Sequence, residues 1–364
     1  MSTPAVLAKP PKFLKEGSFR HDLEGRVDAY FAATGKARRD LPAMYSKTAV
    51  ILLWTAACWA ALVFGDVRWW LALPLAVGLG LGVSAIGMAV MHDANHSGYS
   101  RWPWVNRLMG WTLDSLGCSS HVWKTKHNMV HHTWTNVVGV DDDLEVGPLA
   151  RLAPGQRWRP WHRAQHVYMF VLYAFLLPKW VLFDDFYNLA TRRVGGTALP
   201  APTPLDWAVL IGGKALFLGW SLAVPMLWHS PLAVVGLWLV ASSTVGVVLG
   251  TTFQLAHCAQ GAEFTDPGQP VHRDWAEHQL ATTIDFAPRS RLLTWFVGGL
   301  NFQVVHHLFP RVCHLHYPAI AHIVEQTAVD HGLEYHHQST LAGAVAAHLA
   351  WLRAMGQPPT IAAH

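Results

Sequence analysis

Four apolar runs set the outer limits of any fold this chain can adopt: Ala49 to Gly65, Trp69 to Met91, Trp207 to Trp228 and Pro231 to Phe253. A hydrocarbon core about 30 Å thick needs around 20 helical residues at 1.5 Å each, a length these runs reach or, for the first, approach. Only Asp66, Val67 and Arg68 separate the first two runs, and only His229 and Ser230 the last two, so the spans are expected as two tight helical hairpins. Composition agrees: 52% of residues are apolar and 14% charged, against roughly 25% charged in soluble domains. Trp69, Trp70, Trp207 and Trp228 mark span ends, where an amphipathic ring suits the headgroup layer. Lys214 is the one charge inside a run; near the start of its span it is expected to snorkel and to serve structure.

Basic residues crowd the N-terminal arm (Lys9, Lys12, Lys15, Arg20, Arg26, Lys36, Arg38, Arg39, Lys47), whereas the hairpin turns hold only Arg68. The positive-inside rule therefore predicts cytoplasmic termini. The arm begins without the apolar core of a signal peptide. The net charge of +4 fits anionic lipid headgroups as partners, and no basic and aromatic pattern points to nucleic acid. Cys58, Cys118, Cys258 and Cys313 show no C-x-x-C pairing, which argues against disulfides and zinc ribbons.

Against this apolar background stand seven histidines in three clusters: HDANH (His92, His96), HNMVHH (His127, His131, His132) and QVVHH (His306, His307). A single i, i+4 pair on a helix is an ordinary accident. Three clusters in one chain form a supply of nitrogen ligands for more than one metal ion. Counting spans from a cytoplasmic start brings all three to one aqueous face, together with His257 at the end of the fourth run. This requires that Val167 to Pro178, only 12 residues long, lie in the interface rather than cross, and that Leu292 to Leu300 stay outside as well. His162, His166, His336 and His337 are expected at the surface; His314 and His316 are left open.

HDANHSGYS, HNMVHHTWTN and NFQVVHHLFPR resemble, in order and spacing, the three histidine boxes of the membrane-bound fatty acid desaturases. The likeness covers roughly residues 80–320 and is strongest to the branch whose third box begins with glutamine: front-end, linoleoyl-CoA-desaturase-like and sphingolipid desaturases. NVVGVDDDLE, FQLAHC and WAEHQLATTIDF are similar to that branch too. The resemblance implies an all-α integral membrane protein, four spans in two hairpins under a cytoplasmic helical cap (92–206 and 254–330) that carries the boxes. It divides the chain into an arm at 1–48, a desaturase domain at 49–330, and a C-terminal helix and tail at 331–364.

It further implies two iron ions held by His92, His96, His127, His131, His132, His257, His306 and His307, with dioxygen as co-substrate. Gln303 stands where other desaturases have histidine, and is expected to act through water or to hold a neighbouring imidazole. Asp93, placed between two ligands, is the preferred partner for a ring nitrogen; Asn128, Asn136 and the run Asp141 to Glu145 are further candidates. The substrate would be an acyl lipid or acyl-CoA. No HPGG haem-binding sequence is present, so electrons are expected from a separate ferredoxin or cytochrome b5 with its reductase, guided by Lys124, Lys126 and Arg311. A bacterial inner membrane is preferred to the endoplasmic reticulum. A di-iron hydroxylase or ketolase of a lipid, carotenoid or sterol is the alternative on the same scaffold, and metal transport a distant one.

Overall fold

The computed structural model describes residues 10–359; Lys9 of the arm and residues 360–364 of the tail lie outside them. The four apolar runs form spans Pro42–Phe64, Trp69–Asn95, Pro204–Leu227 and Pro231–His257. Proline stands in the first turn of the first, third and fourth, where its missing N–H costs nothing. The protein is an all-α membrane protein of two helical hairpins; among the described residues, sheet is confined to two two-residue pairs.

Two charges depart from expectation. The first span starts at Pro42 rather than Ala49 because Lys47, 4% exposed, is accommodated inside the protein. Lys214 does not snorkel. Its ammonium pairs with buried Asp185 at 2.9 Å and donates to the carbonyls of Gly117 and Val181, as intramembrane charges do when they face the bundle.

The second span packs against the first and the fourth. Between these three and the third lies a cavity of about 560 Å³, lined by Trp59, Leu79, Val83, Phe217, Trp220 and Val245 among others. The Val167–Pro178 stretch falls in a bent pair, Pro160–Ala174 and Leu176–Thr191, inclined at 58°. It lies hard against the fourth span: a Cβ on Gly246 would stand 2.1 Å from the Tyr173 carbonyl oxygen, an approach only glycine allows.

The first and last described helices fold back over one end of the bundle. Helix Ser18–Thr34 buries Phe19, Leu23, Val27 and Phe31, a four-residue stripe, in one core with Ile320, Val324 and Ala328 of helix Tyr317–Asp330. Helix Leu341–Met355 docks on the bent pair and the fourth span through Ala344, Ala347, His348 and Leu352. Together these helices roof the histidine clusters.

Candidate metal centre

Each histidine cluster sits on a local backbone form that aims its rings. The second box is a π-helix, Lys124–His131, closed by a bond from His132 N to His127 O at 3.0 Å. In an α-helix, residue i+5 turns well away from residue i. The wider i→i+5 winding keeps i, i+4 and i+5 together, so His127, His131 and His132 share a face. A second π-helical stretch, Ile86–Met91, precedes the short helix His92–Asn95 of the first box. The third box is helix Gln303–Leu308. Buried Asp285 holds its start, accepting from Val304 N at 3.0 Å, while Tyr335 donates to the other carboxylate oxygen. Burial pushes the Asp285 carboxyl up to about 7.

The eight predicted histidines meet in one buried cluster, none more than 7% exposed. His92, His96, His127 and His306 bring ligand nitrogens within 4.8 Å of one another, and so do His131, His257 and His307; His132 joins His306 and His307 in a third set that overlaps both. His92 and His127 approach to 3.1 Å between Nε2 atoms, and His127 and His132 to 3.2 Å. His132 stacks on His307 with ring centroids 4.3 Å apart.

One ring nitrogen is anchored in four of these residues. His131 Nδ1 lies 3.0 Å from Asp141 Oδ2, His307 Nδ1 2.8 Å from Gln279 Oε1, His306 Nδ1 3.3 Å from Tyr317 Oη, and His257 Nδ1 3.4 Å from the Thr282 carbonyl. The other nitrogen, Nε2 in all four, is buried without a hydrogen-bond partner, as are His96 Nε2 and His132 Nδ1. Buried polar atoms are rarely left unpaired. Unpartnered nitrogens gathered in one buried cluster, with the opposite nitrogen of four rings anchored, are compatible with a metal centre. Burial, reinforced by the neighbouring imidazoles, holds His127, His132, His306 and His307 well below the ordinary histidine range, which keeps their lone pairs free. His131 differs: burial lowers it, but the charge and hydrogen bond of Asp141, with the charge of Asp143, together raise it.

Of the expected polar partners, Asp141 holds a ring, whereas Asp93, Gln303, Asn128 and Asn136 bond elsewhere or not at all. Asp93 turns away from both box-one rings and bonds to His314. Gln303 forms no hydrogen bond to an imidazole; its Oε1 is buried and unpartnered, and Gln279 does the holding instead. Asn128 donates to the Asn95 carbonyl at 3.0 Å, tying box two to box one. Asn136, at φ 57°, donates to the carbonyls of His257, Glu263 and Thr282. Asp141 and Gln279 lie in the segments NVVGVDDDLE and WAEHQLATTIDF; Gln279 is not among the expected partners. His162 is buried, not at the surface, bonded to the Pro148 carbonyl; His314 and His316 are buried as well. Lys126 is no free surface cation, since it pairs with Asp142 at 3.0 Å and Asp143 at 3.2 Å.

These features define a class: a helical membrane protein with a buried, histidine-walled site, at one end of its spans, compatible with a metal centre. Comparison with known sequences narrows it. Residues 68–339 match the fatty acid desaturase family. The chain is 42% identical over 350 residues to the sn-1 linoleoyl-lipid 6-desaturase of Arthrospira platensis, covering 95% of each protein. It is 38% identical over 357 residues to the Synechocystis desaturase of the same name (97% of this chain, 99% of the relative). To the acyl-lipid (8-3)-desaturase of Physcomitrium patens it is 35% identical over 339 residues (92% and 71%). The chain belongs to the fatty acid desaturase family, and it is an acyl desaturase, an oxidoreductase.

Proposed function

We propose that this protein desaturates the acyl chain of a membrane glycerolipid, using dioxygen and two iron ions. The observation that carries the metal assignment is the set of buried, unpartnered imidazole nitrogens that face one another. One ion falls to His92, His96, His127 and His306, the other to His131, His257 and His307, with His132 between them. The iron pair, when bound, supplies the oxidising power that no side chain has for removing hydrogen from an unactivated methylene.

The chain's own residues orient and enclose. Asp141, Gln279, Tyr317 and the Thr282 carbonyl fix ring rotation, and Trp123 stacks on His127 with centroids 4.4 Å apart. Burial of all eight rings keeps bulk water from the reacting centre. The apolar cavity begins near Val83, nine residues before His92, or about 13 Å at 1.5 Å per residue, and offers room for the far end of a long chain.

An acyl lipid is preferred to acyl-CoA because the Arthrospira and Synechocystis relatives are named for a linoleoyl lipid and cover nearly the whole chain. Their names also supply the proposed position of the new double bond, carbon 6. Electrons come from a separate ferredoxin or cytochrome b5. The basic arm supports cytoplasmic termini, and a bacterial inner membrane is the preferred location.

Expression in a host fed linoleate, followed by analysis of intact lipids and methyl esters, tests the reading. A new double bond at carbon 6 in glycerolipid, before any free or CoA pool, is the expected result. A hydroxylated or oxo product selects the alternative chemistry; an unchanged lipid profile with altered metal uptake selects transport.

A further inference from the structure

Asp93 stands between His92 and His96, yet its carboxylate faces the opposite way. Oδ2 accepts from the backbone N–H of His314 at 3.1 Å and lies 2.7 Å from His314 Nδ1. Across the same imidazole, Nε2 is 2.7 Å from Lys47 Nζ, and that ammonium stands 5.2 Å from the Trp295 ring centroid. Lys47, Asp93 and His314 are 4%, 2% and 1% exposed. An ammonium only donates and a carboxylate only accepts, so the ring between them is held as the Nδ1–H tautomer. A buried cation on the first span and a buried anion in the first box are thus matched through a neutral imidazole. Neither is left as an unpaired buried charge, which is strongly destabilising.

The link matters because of what precedes it. The π-helical stretch Ile86–Met91 shifts the rotation of everything after it, the first box included, relative to an unbroken α-helix. On the site-facing side, His92 and His96 pack against other imidazoles and Trp123. The Asp93 bond, on the other side, ties the turn to residues before the first span's apolar run and after the third box.

We propose that Lys47, His314 and Asp93 form a buried clamp that sets the rotation of the first histidine box, so that His92 and His96 reach their metal ion. All three are positioning residues. The proposal rests on the assignment of His92 and His96 to one ion and His131, His257 and His307 to the other, and it predicts an asymmetric defect.

Glutamine at 314 keeps a donor for Asp93 and an acceptor for Lys47; leucine keeps neither. Iron content and Mössbauer spectra of iron-loaded protein should show His314→Gln close to wild type. In His314→Leu the signal of one ion should shift or vanish while the other keeps its parameters, with kcat down by about ten-fold or more, the scale of lost metal-site support. The double variant Lys47→Met with Asp93→Asn, which removes both buried charges at once, should reproduce the one-ion defect and serves if the leucine variant does not fold. Gln and Leu behaving alike, or both ions being lost together in the double variant, would overturn the clamp. A wild-type protein that binds no iron would overturn the metal reading instead, a separate result.

Discussion

His131 Nδ1 lies 3.0 Å from the buried carboxylate of Asp141, and the same ring's Nε2 faces His257 and His307 with no hydrogen-bond partner. A carboxylate behind a ligating imidazole fixes its tautomer and raises its basicity. Asp141→Asn should therefore lower metal affinity or turnover by roughly 10- to 100-fold. Metal titration of apoprotein together with lipid product assays checks this; an unchanged affinity and rate would leave Asp141 as a turn residue, since it also accepts from the backbone N–H groups of Asn136 and Asp143.

Two buried glutamines separate two roles. Gln279 Oε1 meets His307 Nδ1 and Thr135 Oγ1, both at 2.8 Å, so Gln279→Leu should reduce iron content as well as activity. Gln303 holds no ring. Gln303→Ala is expected to cost most of the activity while much of the iron stays, because the eight histidines are untouched. Gln303→His should retain iron and react poorly. Iron analysis beside turnover distinguishes the pair, and full activity in Gln303→Ala would reduce that residue to packing.

The Asp285 carboxyl sets a pH signature. Burial raises it from 3.8 to about 7 in the folded protein, so the folded state disfavours its charged form. Its contribution to stability is fully present below about pH 4 and is lost as pH rises through about 7. Wild-type protein should lose stability over that window relative to Asp285→Asn, whose side chain cannot ionise. Thermal melts of the two in detergent at pH 5 and pH 7.5 give the comparison; parallel pH dependence would show that Asp285 titrates normally.

Purified enzyme with lipid substrate, oxygen and NAD(P)H alone should be inactive, and a ferredoxin or cytochrome b5 with its reductase should restore product. Arg311 is exposed four residues beyond His307, whereas Lys126 is neutralised by two aspartates. The rate should fall with added salt. Arg311→Gln should weaken that salt dependence more than Lys126→Gln. Turnover on NAD(P)H alone would contradict a separate donor.

The sequence by itself determined the number of spans, their pairing in hairpins and the supply of histidines, because these depend on run length and on spacing within a turn or two of helix. Even there, local pattern had limits. Lys47 looked like the edge of a span because a lone charge reads as exposed, and only its partner, 267 residues away in sequence, brings it inside. Tertiary structure alone decided which ring faces which, that the second box winds as a π-helix, and that Asp93 serves His314 while Asp141 serves His131. It likewise set Gln279, rather than Gln303, behind His307. Those outcomes depend on hydrogen bonds between segments brought together by packing, and a side chain's partner across such distances is set by the rotation of whole helices, which no local spacing encodes.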